Sequence, residues 1–303
     1  MKVRYLSVTF CIKFNSSVEV DNPPLFVIRS VLGKNLRSIC CISPQSTCPK
    51  CLYRQSCVYV FLFETILSQS NQVVPGRNRA SHPFLLSGKM LPMKTQLSEY
   101  QFTVTLLGKG IEYLPYIYAA IVQAGEQGMF KSRCPFTVSA VQVNGKTILL
   151  KNNQLDMTGV SQEWNLELSR QDFNGEVLVE LRSPLRFKRG GHYGGNFTAL
   201  DFVKCLERRC QTIVGLYGED SHELAHLNLN DELKIVDQNL RWLDLGHYSK
   251  RQKNVMSLGG VVGTFKLEGT FSAYTQGLLE MGKIFNCGKN TNFGLGQMDY
   301  WMR

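Results

Sequence analysis

The spacing of hydrophobic residues along the chain predicts several β-strands. Between residues 6 and 14 apolar side chains alternate with polar ones, and the same alternation returns at residues 100–107 and 177–181. A period of two is what a strand requires when one of its faces is buried and the other is not. The first strand is expected to end near Phe14, and residues 136–143 are expected to form another.

A period of three to four residues predicts helices between these strands. The pattern is weak at 25–36, clearer from about residue 112 to 125, and present again at 273–284. The helix after Thr198 has the clearest pattern, and Thr198 with Asp201 resembles a capping box at its start. Its apolar stripe consists of Leu200, Val203, Leu206, Cys210, Ile213 and Leu216.

The order of these elements repeats along the chain. A strand, a helix, a loop with glycines and cations, and a second strand occur at 100–143 and again from residue 262 to the carboxyl end. Two copies of one βαββαβ unit account for this order and for the length of 303 residues. We therefore predict an α+β fold of two tandem ferredoxin-like (RRM-like) domains, at 1–150 and 176–303, joined by a linker at 151–175.

The sequence also limits where the protein is expected to act. Its first residues alternate as a strand does and differ from a signal peptide. No apolar run approaches the roughly 20 residues needed to cross a membrane. Ten cysteines without a secretory context indicate a reducing compartment. We expect a cytoplasmic protein without a membrane partner.

The net charge of +10 is unevenly distributed. Residues 181–200, 245–267 and 281–298 contain no Asp or Glu, and together they hold ten Lys or Arg. A polyanionic partner explains this segregation, because cations that neutralise phosphates release condensed counterions and so contribute to affinity. An ordinary basic surface is the simpler alternative.

The third of these segments belongs to a glycine-rich stretch that runs from Met281 to Trp301. Glycine has no Cβ and accepts positive φ, so this backbone can lie against a bulky ligand and present its N–H groups to it. Lys283 and Lys289 favour an anionic ligand. The alternative is a glycine-lined turn that leads into a final strand.

Four motifs together resemble a known family. They are SPLRFKRG at 183–190, YSKRQ at 248–252, MSLGGVVG at 256–263 and GKNTNFGLG at 288–296. The last is similar to the terminal glycine-rich signature of the RAMP superfamily of CRISPR-associated proteins. As a set, the motifs resemble the endoribonuclease of that superfamily that cuts precursor crRNA into guides. The resemblance is close from about residue 175 onward and looser over the first 150 residues.

This resemblance implies an activity and its chemistry. Such an enzyme cleaves RNA without metal: the ribose 2′-hydroxyl attacks the adjacent phosphate and leaves a 2′,3′-cyclic phosphate and a 5′-hydroxyl. The reaction needs a base, an acid and cations around the transition state. The resemblance implies no cofactor for catalysis and makes CRISPR repeat RNA and crRNA the partners. It leaves open whether mature crRNA stays bound and whether other CRISPR effector subunits bind.

Two histidine–tyrosine pairs are the candidates for proton transfer. His192 and Tyr193 follow the first basic motif, and His247 and Tyr248 overlap the second. Histidine suits both proton-transfer roles because its ordinary pKa of about 6.5 populates both forms near neutral pH. A site built from lysine, tyrosine and arginine is the alternative. The candidate RNA contacts are Arg186, Lys188, Arg189, Lys250, Arg251, Gln252, Lys283, Lys289 and Asn290.

The other three histidines have weaker support. Many relatives take a catalytic histidine from their first domain, but in this chain none precedes His82. His82 is a further candidate because Arg77 and Arg79 are close in sequence. His222 and His226 occur in an acidic stretch and are expected to be solvated.

A cysteine-rich insertion at about 40–57 is a candidate metal site. Cys41, Cys48, Cys51 and Cys57 could complete a tetrahedral Zn²⁺ shell, because the two-residue spacer between Cys48 and Cys51 lets both sulfurs face one ion. The spacing differs from two standard CxxC pairs, and Cys40 competes with Cys41. An iron–sulfur cluster and reduced, partly buried thiols are the alternatives.

Three classes of function therefore remain open. The first is the processing endoribonuclease, and the second is a non-catalytic RAMP subunit that binds crRNA in an interference complex. The third is a zinc-stabilised structural protein with a basic face.

Overall fold

The computed structural model describes residues 1–66, 80–219, 231–249 and 254–303. The chain divides into two compact units, one of residues 3–163 and one of residues 164–303 together with Met1 and Lys2. The boundary between Glu163 and Trp164 falls within the segment 151–175.

The amino-terminal unit is built on one sheet with two helices. Its strands are β1 (Lys2–Glu19), β2 (Phe84–Gly88), β3 (Gln96–Leu107), β4 (Phe136–Val143) and β5 (Lys146–Thr147), and β6 (Gln162–Asn165) runs across the boundary at Glu163. Its helices are α1 (Pro24–Cys40) and α2 (Leu114–Gln127). The strand order is β2-β3-β1-β4-β5, with antiparallel neighbours throughout, and β6 also pairs with β1. Along the chain, β1 to β4 with the two helices form a βαββαβ unit.

Strand β1 shows how the apolar alternation builds this core. Leu6, Val8, Phe10 and Ile12 are at most 1% exposed, because every second side chain points to the face that the helices cover. The strand does not end near Phe14 as predicted. Its register against β3 shifts between Lys13 and Val18, and pairing then resumes as far as Glu19. Such a bulge breaks the alternation in the sequence without ending the strand.

The carboxyl-terminal unit repeats the same topology. Its elements are β7 (Phe173–Leu185), β8 (Lys188–Arg189), β9 (His192–Tyr193), α3 (Ala199–Tyr217), β10 (Leu233–Leu243), β11 (Gly246–Ser249), β12 (Asn254–Ser257), β13 (Gly260–Phe271), α4 (Ala273–Phe285) and β14 (Met298–Met302). The main sheet has the order β10-β13-β7-β14, and β8–β9 and β11–β12 form two separate hairpins. Both units are therefore ferredoxin-like, and the predicted fold class is confirmed.

Helix α3 begins with the predicted capping box. The backbone N–H of Asp201 donates to Thr198 Oγ1 at 3.2 Å, and the backbone N–H of Thr198 donates to Asp201 Oδ2 at 2.9 Å. Most of the predicted apolar stripe is buried, but Leu200 is 48% exposed, so its assignment to the stripe was wrong.

Strand β10 was not predicted from the sequence. It lies within the acidic stretch of residues 219–244, which also contains His222 and His226. It is an edge strand, and most of its side chains are exposed, so little apolar alternation marks it. In the ranges that the structure describes, no helix has the length and apolar character needed to cross a membrane.

Candidate functional site

The basic motif after β7 folds into a tight hairpin. Lys188 pairs with Tyr193, and Arg189 pairs with His192. Gly190 and Gly191 form the turn with φ of 55° and 86°, and positive φ at both central residues is what a two-residue type I′ turn requires. The hairpin therefore places both members of the His192–Tyr193 pair directly beside cations.

Three cations converge on the ring of Tyr193. Arg186 Cζ lies 4.0 Å from the ring centroid, Lys188 Nζ lies 5.4 Å from it, and Lys289 Nζ lies 6.0 Å from it. The residue is 36% exposed, so its surroundings are open to a ligand. We call Arg186, Lys188, Lys289 and Tyr193 the basic cluster. Its members come from two segments that are far apart in sequence. The face of an aromatic ring attracts cations, and a group of cations held together attracts an anionic ligand.

The glycine-rich loop, residues 286–297, supplies Lys289 by packing on the end of β7. The backbone N–H of Lys289 donates to the carbonyl oxygen of Arg186 at 2.8 Å. Further along, Gly296 N–H donates to Pro184 O at 3.0 Å, and Gln297 N–H donates to Ser183 Oγ at 2.8 Å. Lys289 is thus held beside Arg186 by the backbone as well as by the shared ring.

Two glycines make this close packing possible. Gly288 has φ of 77°, and a Cβ added there would lie 2.5 Å from Arg186 O. Gly296 has φ of 72°, and its Cβ would overlap the carbonyl of Cys287. The loop differs from the expected anion cradle, because the N–H groups of Lys289, Gly296 and Gln297 donate to protein acceptors. Its glycines fit the loop to the end of β7 and to Arg186, which directly follows that strand.

A buried arginine on α3 holds the glycine-rich loop in place through hydrogen bonds. Arg209 on α3 donates from NH2 to Phe285 O at 3.2 Å and to Thr291 Oγ1 at 3.0 Å. Burial lowers the pKa of Arg209 to about 10. This residue was not among the sequence candidates, although its spacing from Leu206 and Ile213 places it on the buried face of the helix.

Arg189 joins the hairpin to the start of α3. Its Nε lies 3.3 Å from Asp201 Oδ2, the oxygen that also caps the helix. Burial acts to raise the pKa of Asp201, but hydrogen bonds from Thr198 and the charge of Arg189 outweigh it, so the pKa lies below its ordinary value. Arg189 is therefore engaged with a carboxylate, whereas its cross-strand partner His192 is exposed.

The second histidine–tyrosine pair lies on the hairpin of β11 and β12. There the backbone of His247 pairs with Met256 and that of Tyr248 with Val255. Arg186 NH1 donates to the carbonyl oxygen of Ser257 at 2.8 Å, so the base of this hairpin touches the basic cluster. Lys250, Arg251 and Gln252, as well as Arg77, Arg79, His222 and His226, lie outside the described residues.

The remaining candidates have local partners. Lys283 Nζ lies 2.8 Å from Asp299 Oδ1, and Arg182 NH1 lies 3.2 Å from the other oxygen of that carboxylate. Asn290 has φ of 62°, and its carbonyl accepts from the N–H of Phe293 at 2.8 Å, which shapes the loop just after Lys289. In the amino-terminal unit, His82 Nδ1 lies 3.1 Å from Leu62 O and its ring packs between aromatic side chains.

The cysteines of the insertion share one cavity in the amino-terminal unit. Cys40, Cys41, Cys48, Cys51 and Cys57 all line a space of about 310 Å³. Across the described ranges, no three His, Cys, Asp or Glu side chains are already close enough together to hold a metal ion.

Comparison with protein families agrees with this architecture. Residues 3–161 match the family model AF_1859_N, an N-terminal domain, and residues 179–298 match the model of the CRISPR-associated endoribonuclease Cas6. The chain belongs to the family of that N-terminal domain, and its carboxyl-terminal part matches the Cas6 endoribonuclease model. The predicted family is confirmed. A comparison with curated proteins by sequence gives no match.

Solved structures share the Cas6-type fold over the whole chain. A Cas6 product complex matches with a TM-score of 0.54 and 15% identity, over 97% of this chain and 99% of that one. Thermus thermophilus Cas6 matches with a TM-score of 0.53 and 13% identity, over 99% of each chain. A partial Cas6–RT–Cas1–Cas2 complex matches with a TM-score of 0.53 and 12% identity, over 99% of this chain and 46% of that one.

Proposed function

We propose that this Cas6-type protein is a metal-independent endoribonuclease that cuts CRISPR precursor RNA within its repeats. The observation that carries the proposal is the basic cluster, in which cations from the β7 end and from the glycine-rich loop meet on the ring of Tyr193. The proposal is supported by the Cas6 family match and by the solved product complex of a structural neighbour. It places the reaction in the cytoplasm, with CRISPR repeat RNA as substrate.

Arg186 is suited to hold the scissile phosphate. Its NH1 donates to Ser257 O, which fixes the guanidinium against the ring of Tyr193. Its Nε is buried, and no acceptor within the described ranges reaches it. The residue as a whole is only partly buried, so the rest of its guanidinium can form charge-assisted hydrogen bonds with phosphate oxygens. Lys188 and Lys289 then neutralise adjacent phosphate charge.

The reaction needs two proton transfers beside this phosphate. A base removes the proton of the ribose 2′-hydroxyl as its oxygen attacks phosphorus, and an acid protonates the 5′ oxygen as the P–O bond breaks. We assign these roles to His192 and His247, with Tyr193 and Tyr248 as hydrogen-bond donors. Arg186 and Lys289 stabilise the additional negative charge of the transition state. No cofactor takes part in these steps.

The test is cleavage of the cognate repeat RNA in EDTA. We expect a product with a 5′-hydroxyl, which polynucleotide kinase labels directly, and a cyclic phosphate that resists phosphatase until acid opens it. His192→Ala and His247→Ala should each slow single-turnover cleavage by about 10²–10⁴-fold. Arg182→Ala is a control, since Arg182 lies on β7 and pairs with Asp299 instead of joining the basic cluster.

Two results would overturn the assignment in different ways. Tight binding of an intact repeat by the wild type would identify a crRNA-holding RAMP subunit instead of a nuclease. Cleavage at the wild-type rate by both histidine variants would leave the nuclease in place but refute these two residues as its acid and base.

Retention of the product and contacts with other effector subunits are part of the same proposal. The neighbour in a Cas6–RT–Cas1–Cas2 complex supports protein partners for this fold. Gel filtration of a completed cleavage reaction tests retention: crRNA should elute with the protein, and separate elution would contradict it.

A further inference from the structure

The cysteine-rich insertion has no hydrophobic core of its own. In residues 41–57 no side chain is buried, and Ile42, Leu52 and Tyr53 are 73%, 93% and 52% exposed. The backbone bonds within the insertion are local turns, such as Lys50 N–H to Thr47 O at 2.9 Å. Segments that cannot bury apolar surface commonly depend on a disulfide or a metal ion to hold one conformation.

The thiols of this insertion are more exposed than those of most other cysteines in the chain. Cys134, Cys205, Cys210 and Cys287 are buried, as is usual for cysteines that serve as small core residues. The five cysteines of the insertion are only partly buried, and all of them line the same 310 Å³ cavity. Core packing therefore does not account for the convergence of Cys41, Cys48, Cys51 and Cys57.

Three backbone segments bring the sulfurs to this cavity. Cys41 directly follows α1, Cys48 and Cys51 bracket a short 3-10 turn, and Cys57 precedes the helical segment that contains Val60–Glu64. The N–H of Cys51 donates to the carbonyl of Cys48 at 3.3 Å, which turns both side chains toward one side. Four sulfurs from such a turn and two flanking segments form the donor set of structural zinc sites.

Cys40 differs from its neighbour Cys41. Cys40 is the last residue of α1, and its side chain packs against the hydrophobic core of the unit. Cys41 instead lies near Arg37, one turn earlier on the helix, and its backbone N–H donates to the carbonyl oxygen of Arg37 at 2.9 Å. A cation beside the site would offset the negative charge of a tetrathiolate zinc centre.

We propose that Cys41, Cys48, Cys51 and Cys57 bind one structural Zn²⁺ that fixes the insertion. Within this described segment no three of the sulfurs lie at metal-binding distance, so binding requires the insertion to close on the cavity. Residues 41–57 contain no buried side chain to resist that movement. The site is independent of the basic cluster and takes no part in the proposed cleavage.

The test is the metal content of the full chain, purified without added metal or chelator. Elemental analysis should find close to one zinc per chain, and Cys48→Ser and Cys51→Ser should each remove most of it. Cys40→Ser and Cys11→Ser are the matched controls and should retain zinc, because neither residue belongs to the proposed shell. Cobalt loaded in place of zinc should give the intense thiolate charge-transfer absorption of a tetrahedral site.

A second variant covers the case in which the serine variants fail to fold. Cys51→His preserves a zinc ligand, and it should keep the metal and give a cobalt spectrum typical of three sulfurs and one nitrogen. A wild-type chain that lacks zinc and shows no thiolate absorption with cobalt would overturn the proposal. So would iron with acid-labile sulfide, or zinc that survives both Cys48→Ser and Cys51→Ser.

Discussion

The backbone N–H of Lys289 donates a 2.8 Å hydrogen bond to the carbonyl oxygen of Arg186. This bond joins the glycine-rich loop to the end of β7, and it brings together two of the four motifs that suggested a common site. The motif MSLGGVVG at 256–263 reaches the same site, because the Arg186 guanidinium also donates a hydrogen bond to the carbonyl oxygen of Ser257. The function of this surface can therefore be tested one residue at a time.

Tyr193 should separate RNA binding from cleavage. Tyr193→Leu removes the ring on which three cations converge and on which a base could stack. We therefore expect RNA to bind about 5- to 160-fold more weakly, from a stacking contribution of about 1–3 kcal/mol. Tyr193→Phe keeps the ring and should keep binding while slowing cleavage. Filter binding and single-turnover rates measure the two effects. Equal binding by the leucine and wild-type proteins would exclude a role for the ring.

Gly288 should be intolerant of any side chain. Its φ is 77°, and a Cβ at this position would approach Arg186 O to 2.5 Å, which implies a cost of about 1–3 kcal/mol for Gly288→Ala. We expect a lower urea midpoint and, because Lys289 is displaced, weaker RNA binding. Gly194→Ala is the control, since a Cβ there meets nothing within 4 Å. If both variants unfold at the wild-type midpoint, the loop is not fixed to β7 as described.

Asp201 should make stability depend on pH in the acid range. Its pKa in the folded protein is held below the ordinary value, so its contribution is fully present above the unfolded pKa of about 3.9 and is lost as pH falls through the folded pKa. At neutral pH, Asp201→Asn should lower the free energy of unfolding by about 0.5–1 kcal/mol, through loss of a carboxylate at a helix start. Urea titrations of both proteins should give a difference that shrinks as pH falls below about 3.9 and vanishes once the carboxyl group is protonated in the folded protein. A difference in the free energy of unfolding that persists after the carboxyl group is protonated would show that packing, and not charge, is the cause.

The topology could be predicted because its determinants are local. The alternation of apolar and polar residues predicted β1 and β4, and helical periodicity together with a capping box predicted α3. The repeated order of strands and helices then indicated both βαββαβ units. Strand β10 was missed because an edge strand needs few apolar residues. The continuation of β1 to Glu19 was missed because a bulge interrupts the period of two.

The residues of the basic cluster could be selected from the sequence as candidates, but their arrangement could not. Charge segregation and motifs selected Arg186, Lys188 and Lys289, yet only the packing of the loop on β7 shows that they share the ring of Tyr193. The charge pattern could not show that Arg209 stabilises the glycine-rich loop, because that role depends on a hydrogen bond to the buried carbonyl oxygen of Phe285. The ion pair between Lys283, a candidate RNA contact, and Asp299 could not be predicted either, because the two residues meet only in the folded chain.

Whether the basic cluster holds RNA is best decided by the salt dependence of repeat-RNA binding in two triple variants of equal charge. One replaces Arg186, Lys188 and Lys289 with alanine, and the other replaces the exposed cations Lys204, Arg208 and Lys234 of the same unit. For single-stranded RNA, each lost phosphate contact should reduce the slope of log K against log salt by about 0.7, so the first variant should lose about two units of slope and the second almost none. Equal losses in the two variants would show that the basic cluster is no more than part of a diffuse positive surface, and would contradict its role as the RNA site.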